Sequence, residues 1–371
     1  MRKWITLFCL GLVAALLAAP SLAQDATPEA EAIELEPWTC PEGFEGQTLN
    51  VYNWTTYVAE DTISNFIALC GLAGVQYDTF ASNEDLLAAI SQGNPGYDII
   101  VPTDYMVAIM IEQDLLDTLN KENIPNMKNI SPRFLGGSHD PEDNYSIPYQ
   151  WGTIGIGYNV EKVGKEITSW QDVFEYQGSV AWLEDQRTMI GIALKQLGYD
   201  PNSENPDEIA QAGDFLIANG GNVVTIAQDD GQALLERGDI DMTVEYSGDI
   251  FQLIYECECD TYAYVILSDG GTIWTDNLAI PVDAPNKALA EVFMDYILDP
   301  QVGADISNYT AYGTPNQLSL DAGLIDEELL NDPTIYPTGE TLENLFSIKS
   351  VSDDAQVAYN DAWDAIKILI G

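Results

Sequence analysis

The chain has 371 residues, of which 46% are hydrophobic and 10% aromatic, enough for a large core and for two domains. Lys and Arg number 13 against 60 Asp and Glu, so the formal net charge is −47. Such a surface repels nucleic acid and anionic lipid, which excludes nucleic acid as a partner. Most of these acids are typical of a solvated surface, so the net charge alone supports a cationic ligand only weakly.

Residues 1–23 have the organisation of a signal peptide. A basic start precedes an apolar stretch, and the small residues Ser-Leu-Ala at 21–23 form a cleavage site. The alternative is an uncleaved membrane anchor, because the apolar run approaches the ~20 residues that span a bilayer. We favour cleavage and predict an exported protein, periplasmic or otherwise extracytoplasmic. Residues 24–45 are acidic, rich in Ala and interrupted by Pro, and we interpret them as a flexible linker.

Four cysteines follow the predicted cleavage site: Cys40, Cys70, Cys257 and Cys259. Export permits disulfides, and four cysteines allow three pairings. Pairing Cys40 with Cys70 would join the N-terminal arm to the first helix and leave Cys257 with Cys259. A metal site is the alternative, but a Cys-x-Cys motif with a single histidine in the chain, His139, disfavours it.

Strands and helices alternate from residue 48 onwards. In the first unit, hydrophobic periodicity predicts strands at 48–54, 75–80 and 97–102 and helices at 60–71, 82–93 and 104–116. In the second unit it predicts strands at 179–185, 222–227 and 241–248 and helices at 187–198, 207–220 and 231–239. This alternation is typical of an α/β fold, in which each unit is a mainly parallel sheet with helices on both faces.

Two extended, glycine-bearing segments, 146–159 and 270–282, are predicted to cross between the units. Further helical segments follow at 286–307 and 355–370. We therefore predict two lobes. Lobe 1 comprises 46–147 and 276–319, and lobe 2 comprises 148–275 and 320–371.

Aromatic, hydroxyl and acidic residues follow the ends of several predicted strands or lie on the second crossing. In open α/β sheets, ligands bind beyond the carboxyl ends of the strands. We therefore expect one cleft between the lobes to contain Trp54, Thr55, Tyr57, Thr103, Tyr105, Asp185, Tyr246, Asp249, Trp274 and Asp276.

The chemistry of these residues points to a cation. A carboxylate in a cleft costs several kcal/mol of desolvation unless it has a partner, and no Lys or Arg is among these residues. Aromatic faces attract ammonium groups, each contact contributing roughly 0.5–2 kcal/mol, and they also cover methylene chains. Acids at both ends with rings between them suit a linear aliphatic polyamine.

Several motifs occur in order at family spacing: YNWTTYV, SNED, YDIIVPTDY, YSIPYQWGTIGIGYN, SWQDVFE, WTDNLAIP and YGTPN. With them, the chain from about Leu49 to its C-terminus resembles the bacterial spermidine/putrescine-binding proteins that supply ABC importers. The resemblance implies a two-lobed, type II periplasmic-binding fold that closes like a hinge on a polyamine and docks on a membrane permease.

The resemblance also implies roles for single residues. Trp54 and Tyr57 match the first aromatic pair of the family, with Thr55 beside them, and Thr103 and Tyr105 match its VPS-x-Y-like turn. Asp185 matches a carboxylate that holds an amine, and Asp249 matches the acid used mostly by the putrescine-preferring branch of the family. Trp274 matches the aromatic ring near the hinge, and Asp276 matches the central carboxylate. Tyr312 matches a tyrosine late in the family sequence, and Tyr246 stands where the family usually has tryptophan.

Two positions depart from the family pattern. Thr56 stands where the family usually has Asp or Glu, and Thr188 stands where a second glutamate is common. The expected acids are then Asp185, Asp249 and Asp276. Fewer acids favour a shorter or less charged ligand, or capture of one amine through water. The sequence does not choose between putrescine and spermidine.

Structural roles compete with ligand roles at some positions. Asp185 has the position of a helix N-cap, and Asp249 that of a cap to a helix starting at Ile250. Thr103 could likewise cap the following helix, and Tyr105 could pack within it.

Other functions have weaker sequence support. The chain has no G-x-S-x-G, P-loop or H-E-x-x-H motif, and His139 is its only imidazole. A glycosidase using paired carboxylates is the enzymatic rival. A receptor of the same fold for ferric iron or a quaternary amine is the other. We expect no catalytic residue, no cofactor and no bound metal, and a monomer that captures a polyamine.

Overall fold

The computed structural model describes residues 33–370. The predicted signal peptide, 1–23, and the first part of the predicted linker lie outside the described residues. The strands are β1 (Thr48–Trp54), β2 (Gly74–Phe80), β3 (Ile99–Ile100), β4 (Ser146–Asn159), β5 (Val180–Leu183), β6 (Val223–Ala227), β7 (Met242–Tyr246), β8 (Tyr262–Val265) and β9 (Thr272–Ala279).

The helices are α1 (Thr62–Cys70), α2 (Asn83–Ser91), α3 (Asp104–Glu112), α4 (Val160–Val163), α5 (Trp170–Phe174), α6 (Gln186–Gln196), α7 (Pro206–Asn219), α8 (Gly231–Arg237), α9 (Ser247–Cys257), α10 (Lys287–Ile297), α11 (Pro300–Thr310), α12 (Gln317–Asp321), α13 (Glu327–Asn331), α14 (Gly339–Asn344) and α15 (Asp353–Ile370). Short 3₁₀ turns occur between α3 and β4.

The described strands form one sheet in the order β2-β1-β3-β9-β4-β7-β5-β6, with β8 beside β4. β1 runs parallel to β2 and β3, and β5 runs parallel to β6 and β7. The antiparallel pair β9 and β4 joins these two parallel groups. We call β1–β3 with their helices the first lobe and β5–β7 with theirs the second lobe. The predicted two-lobed α/β fold is confirmed.

Strand β4 belongs to both lobes. Between Ser146 and Ile154 it pairs with β9, with an irregularity between Pro148 and Gln150, and from Ile154 to Tyr158 it pairs with β7. Nearly all of its residues are buried, because the sheet continues on both sides and helices cover it.

Local sequence explains where several helices begin. The Ser82 side chain accepts a hydrogen bond from the Asp85 backbone N–H at 3.1 Å and caps the N-terminus of α2. The helix predicted to start at Ile250 begins earlier, at Ser247, so Asp249 lies in its first turn and is not its cap. Strand β8 has no counterpart among the predicted elements.

The N-terminal arm is fixed to the first lobe before the predicted end of the linker at residue 45. Trp38 packs against Phe66 and Tyr296, and its indole N–H donates to Asp295 at 2.8 Å. A disulfide joins Cys40 to Cys70 on α1. The last part of the predicted linker is therefore packed, because an aromatic side chain and a covalent bond hold it to the core.

The second disulfide joins Cys257 to Cys259 at the end of α9. Both pairings agree with the arrangement considered from the sequence. In the described part of the chain, no helix combines the length and the apolar composition needed to cross a bilayer.

Candidate functional site

A cavity lies between the lobes, at the carboxyl ends of the parallel strands. It is lined by Trp54, Thr55, Tyr57, Asn83, Thr103, Asp104, Tyr105, Ile154, Asp185, Thr188, Asp229, Tyr246, Asp249, Thr272, Trp274, Asp276, Tyr312 and Ile348. The structure thus brings together all eleven residues named from the sequence, although their contact with a ligand stays a prediction.

Four aromatic rings form a continuous wall of the cavity. The centroid of Tyr312 lies 5.2 Å from that of Trp274 and 5.3 Å from that of Tyr57, and Tyr246 lies 5.9 Å from Trp274. Their planes are inclined by 67°, 82° and 85°, the edge-to-face arrangement that aromatic pairs favour. Such a wall presents π faces to a guest from several directions.

Glycines make this close packing of the rings possible. A Cβ atom on Gly152 would lie 2.7 Å from the Trp274 ring and 2.9 Å from the Tyr312 ring. A Cβ on Gly248 would lie 2.5 Å from the Tyr312 ring. Only glycine allows β4 and the start of α9 to approach the rings so closely.

Trp54 forms the edge of the wall and is held in place. Its indole N–H donates to the carbonyl oxygen of Val101 at 2.9 Å, and its ring packs on Phe80 at 4.6 Å. Its centroid is 6.3 Å from that of Tyr246 in the second lobe. The Trp54 ring therefore faces the other lobe in a fixed orientation.

Asp276 is one of two acids, with Asp104, on the first lobe's side of the cavity. Its carboxylate accepts a 2.7 Å hydrogen bond from the Thr103 hydroxyl, which in turn accepts one from the Asn83 amide at 2.9 Å. Thr103 occupies the N-cap position of α3, but its side chain makes no capping hydrogen bond there, and its hydroxyl instead orients Asp276. Burial raises the pKa of Asp276 to about 7, although the Thr103 hydrogen bond opposes the shift.

Asp185 combines a structural position with a place on the cavity wall. Its carboxylate accepts hydrogen bonds from the backbone N–H and the hydroxyl of Thr188, at 3.0 and 2.9 Å. The N-cap role in α6 is confirmed, and the residue also lines the cavity. Tyr105 lines the cavity from the first turn of α3.

Asp249 points toward the cavity from the first turn of α9. Its pKa is raised well above the usual range, first because it is buried and then because the charge of Asp229 lies nearby. A carboxyl group in this setting gains charge when a cation enters the cavity.

No Lys, Arg or His is present among the described residues that line the cavity. The ion pairs of the described chain also leave the cavity acids without a basic partner. Arg187 lies behind Tyr105 at 6.0 Å, but its guanidinium stacks on Tyr359 and donates to the Lys349 carbonyl oxygen at 2.8 Å. The cavity acids are thus not neutralised by the protein.

Comparison with known proteins places this site in a family. The family described as bacterial extracellular solute-binding protein matches residues 72–337. The chain belongs to this family. This solute-binding protein is 32% identical to the putrescine-binding periplasmic protein SpuD of Pseudomonas aeruginosa. The match covers 87% of this chain and 92% of SpuD. The chain is 33% identical over 81% of its length to the spermidine/putrescine-binding periplasmic protein of Escherichia coli, of which it covers 86%.

Solved structures give the same relationship for this solute-binding protein. It resembles the spermidine/putrescine ABC transporter substrate-binding protein PotD of Streptococcus pneumoniae with a TM-score of 0.73 and 32% identity, covering 88% of this chain and all of that one (100%). It resembles the TpPotD lipoprotein of Treponema pallidum with a TM-score of 0.76 and 27% identity, over 87% and 100% of the two chains.

Sequence reasoning missed several lining residues of this solute-binding protein, and Asp229 is the most important. It follows β6, at the same edge of the sheet as the predicted residues, so the strand-end rule could have found it. The Thr55 hydroxyl of the first lobe donates a hydrogen bond to its carboxylate. Burial raises the pKa of Asp229 to about 6.

The other missed lining residues are Ile154, Thr272 and Ile348. From the sequence, Asp104 follows the same strand end as Thr103 and Tyr105, Asn83 belongs to a capping motif and secondarily to the lobe edge, and Thr188 stands at a family position that commonly holds a glutamate. All three line the cavity, and the Asn83 amide orients Thr103. Burial raises the pKa of Asp104 to about 7. The described residues contain no group of three or more His, Cys, Asp or Glu suited to a metal ion.

Proposed function

We propose that this protein captures a linear aliphatic polyamine, putrescine or spermidine, between its lobes and delivers it unchanged to an ABC importer. The chemistry of the cavity supports this proposal. Asp276 on one side, Asp229 and Asp249 on the other, and rings between them form a site with unpaired negative charge. The relatives named for putrescine and spermidine binding support the same ligand class.

The single observation that carries the proposal is the absence of any basic residue among the described lining residues. Removing carboxylates from water costs several kcal/mol each unless a cation compensates. A diammonium ligand supplies that cation at both ends. The wall of Tyr57, Tyr246, Trp274 and Tyr312 covers the methylenes between them and adds about 0.5–2 kcal/mol per cation–π contact.

Two contacts across the cleft support capture by closure. The Thr55 hydroxyl reaches Asp229, and the Gln186 amide donates to the Glu84 carboxylate at 3.4 Å. Strands β4 and β9, which join the lobes, are the hinge in this proposal. A ligand that contacts both lobes favours the closed state by its higher affinity for that state.

The division of the chain and its location belong to the same proposal. We place the lobes at 46–147 with 276–319 and at 148–275 with 320–371. Export through residues 1–23 would bring the protein to the periplasm or another extracytoplasmic space, where it acts as a monomer on a membrane permease. The relatives are named as periplasmic proteins.

Calorimetric titration with putrescine, spermidine and spermine tests the ligand class. We expect saturable binding of at least one of them and loss of most of it in Asp276→Asn. The matched control is Asp214→Asn, because Asp214 is an exposed acid of α7 and lies outside the cavity. Absence of saturable binding to all three polyamines would reject the proposal.

The aromatic wall also favours a second candidate, a receptor for a quaternary amine. Rings that meet edge to face around one space are the usual cage for such a group. Choline tested in the same calorimeter separates the two, because a quaternary ammonium has no N–H to donate to Asp276. Tighter binding of choline than of putrescine would favour this second candidate.

A further inference from the structure

The two disulfides in the described part of the chain close loops of very different length. Cys40 and Cys70 are 30 positions apart in the sequence, whereas a single residue separates Cys257 from Cys259. A disulfide restricts the unfolded chain more when it closes a longer loop. The Cys257–Cys259 bond therefore contributes less to the stability of the fold than the Cys40–Cys70 bond, and stabilisation is a poor explanation for its presence.

The two bonds also differ in their access to solvent. Cys70 is 4% exposed and belongs to the core of the first lobe. Cys257 and Cys259 are both half-buried, and the residues before, between and after them are exposed. A thiol in solution can therefore approach the Cys257–Cys259 bond while the fold stays intact, and exposed disulfides of this kind are the ones that exchange with thiols.

The Cys257–Cys259 bond encloses a strained position of the backbone. Glu258, the residue between the two cysteines, has φ 47° and ψ 41°. This left-handed conformation is unfavourable for a residue with a Cβ atom. Glu258 follows the last residue of α9, and the turn 258–261 leads into β8. Breaking the bond would let Glu258 leave this conformation, so the backbone strain favours the reduced form.

The reduced form also has a hydrogen-bond acceptor in place. Cys257 Sγ lies 3.4 Å from the carbonyl oxygen of Ile254, one turn earlier in α9. A thiol at this position can donate to that oxygen with little movement of the helix. Relief of strain at Glu258 and this hydrogen bond both lower the free energy of the dithiol relative to the disulfide.

We propose that Cys257–Cys259 is a redox-active disulfide, which accepts two electrons from a dithiol while Cys40–Cys70 stays oxidised. One thiolate of the dithiol attacks Cys259 Sγ and forms a mixed disulfide, the bond to Cys257 Sγ breaks, and Cys257 takes up a proton. The second thiolate of the reductant then attacks the sulfur of the first, which releases Cys259 to take up the second proton. The reductant leaves as a disulfide, and two thiols remain on the protein.

The charge around the bond restricts the reductant. Glu256, Glu258 and Asp260 flank the two cysteines, and the sequence contains no Lys or Arg between residues 237 and 287. Negative charge repels an anionic thiol and slows its approach. The partner that fits this site is therefore a dithiol whose reactive sulfur lies on a neutral or basic surface.

Partial reduction of the folded, unaltered protein tests the proposal. The protein is incubated with increasing dithiothreitol, free thiols are alkylated, and mass spectrometry of peptides identifies the alkylated cysteines. We expect Cys257 and Cys259 to be alkylated at about tenfold lower dithiothreitol than Cys40 and Cys70. Reduction of both bonds together, reduction of Cys40–Cys70 first, or resistance of Cys257–Cys259 until the protein unfolds would overturn the proposal.

Melting temperatures separate a redox role from a structural one. Replacing both Cys257 and Cys259 by Ser should lower the melting temperature by about a degree or less, because the loop is short and strain is relieved. The matched control replaces both Cys40 and Cys70 by Ser and should lower it by several degrees more, because the longer loop is no longer closed. An equal or larger drop in the Cys257 and Cys259 variant would identify a structural bond and overturn the proposal.

Two small thiols test the preference for the reductant's charge. Cysteamine carries an ammonium group and 3-mercaptopropionate a carboxylate, and the rate of each is divided by its rate with an uncharged model disulfide. We expect cysteamine to react about tenfold faster at low ionic strength, with a smaller difference at high ionic strength, where the acids are screened. Equal corrected rates at low ionic strength would overturn the assignment of a neutral or basic partner.

Discussion

The two sides of the cavity handle negative charge differently. On the first lobe's side, Asp276 is oriented by Thr103 and Asn83 through hydrogen bonds of 2.7 and 2.9 Å. In the second lobe, Asp229, Glu245 and Asp249 lie together, and one oxygen of Glu245 has no partner among the described residues. The first arrangement fixes one charge in place by hydrogen bonds. The second brings together acids whose raised pKa values disfavour their charged forms, so a cation that enters the cavity is needed to stabilise those forms.

The largest expected effect follows from removing the single oriented charge. Asp276→Asn should weaken putrescine binding by about 100-fold, because the ammonium at that end then loses the carboxylate that the Thr103 hydroxyl holds in place. Asp249→Asn should cost less, about 20-fold, since Asp229 remains on the same wall of the cavity. Calorimetry on both variants measures the difference. A larger loss in Asp249→Asn would invert the comparison between the two sides.

Affinity should fall as the pH falls. Cation binding needs the charged carboxylates, and the pKa values of Asp276 and Asp229 in the ligand-free protein are about 7 and about 6. From pH 8 to pH 6, protonation of the first costs roughly tenfold and of the second roughly twofold in affinity, or about 20-fold together. Putrescine titrations across this range provide the measurement. Asp276→Asn is the control, and its affinity should fall only by the roughly twofold loss that protonation of Asp229 causes. A flat profile would contradict these protonation states.

The aromatic wall should contribute less than the acids. Trp274→Ala should weaken putrescine binding by about tenfold, as expected for loss of a desolvated cation–π contact and of methylene coverage. Trp274→Phe keeps a ring and should restore most of the affinity. Equal losses in the two variants would indicate that the indole acts by filling space and not through its π face.

The smallest expected effect is on the stability of the ligand-free protein. Because the pKa of Asp276 is raised in the folded state, the folded protein binds more protons than the unfolded chain between about pH 4 and 7. The contribution of Asp276 to the free energy of unfolding therefore falls as pH rises through this window. The melting temperature should drop by a few degrees from pH 5 to pH 8. The drop should be smaller in Asp276→Asn and in saturating putrescine, and an unchanged drop in both would refute the assignment.

The sequence predicted the first side of the cavity better than the second. Thr103, Trp274 and Asp276 lie in short motifs at strand ends or on a crossing strand, where local pattern and alternation already place side chains. The place of each of these residues in the cavity could therefore be predicted from its own short segment of sequence.

The second side was predicted only in part. Asp185, Tyr246 and Asp249 were expected at strand ends, and the same rule applies to Asp229, which follows β6. Glu245 stands inside a strand, and its position beside the β6–α8 loop arises only when β5, β6 and β7 pair in the order β7-β5-β6. The departures at Thr56 and Thr188 suggested a site short of acids, whereas the structure places Asp229 on the cavity wall as well.

Boundaries also depended on contacts that the sequence does not display. The predicted linker reached residue 45, but Trp38 and the Cys40–Cys70 disulfide hold the arm earlier. The acidic, proline-containing composition of this segment indicates only that it is well solvated. The packing of Trp38 depends on Phe66 and Tyr296, which lie far away in the sequence. Strand β8 was missed because its four residues take their position from pairing with β4.

The shared strand β4 has a consequence for how the lobes can move. Its backbone bonds to β9 over one half and to β7 over the other, so sliding one lobe along the other would break a whole ladder. Bending and twisting at the irregularity between Pro148 and Gln150 keep most of those bonds. Amide hydrogens of β4 from Trp151 to Ile154 should therefore exchange slowly with solvent deuterium whether the cleft is open or shut, while exchange at Thr55 should slow when the cleft shuts.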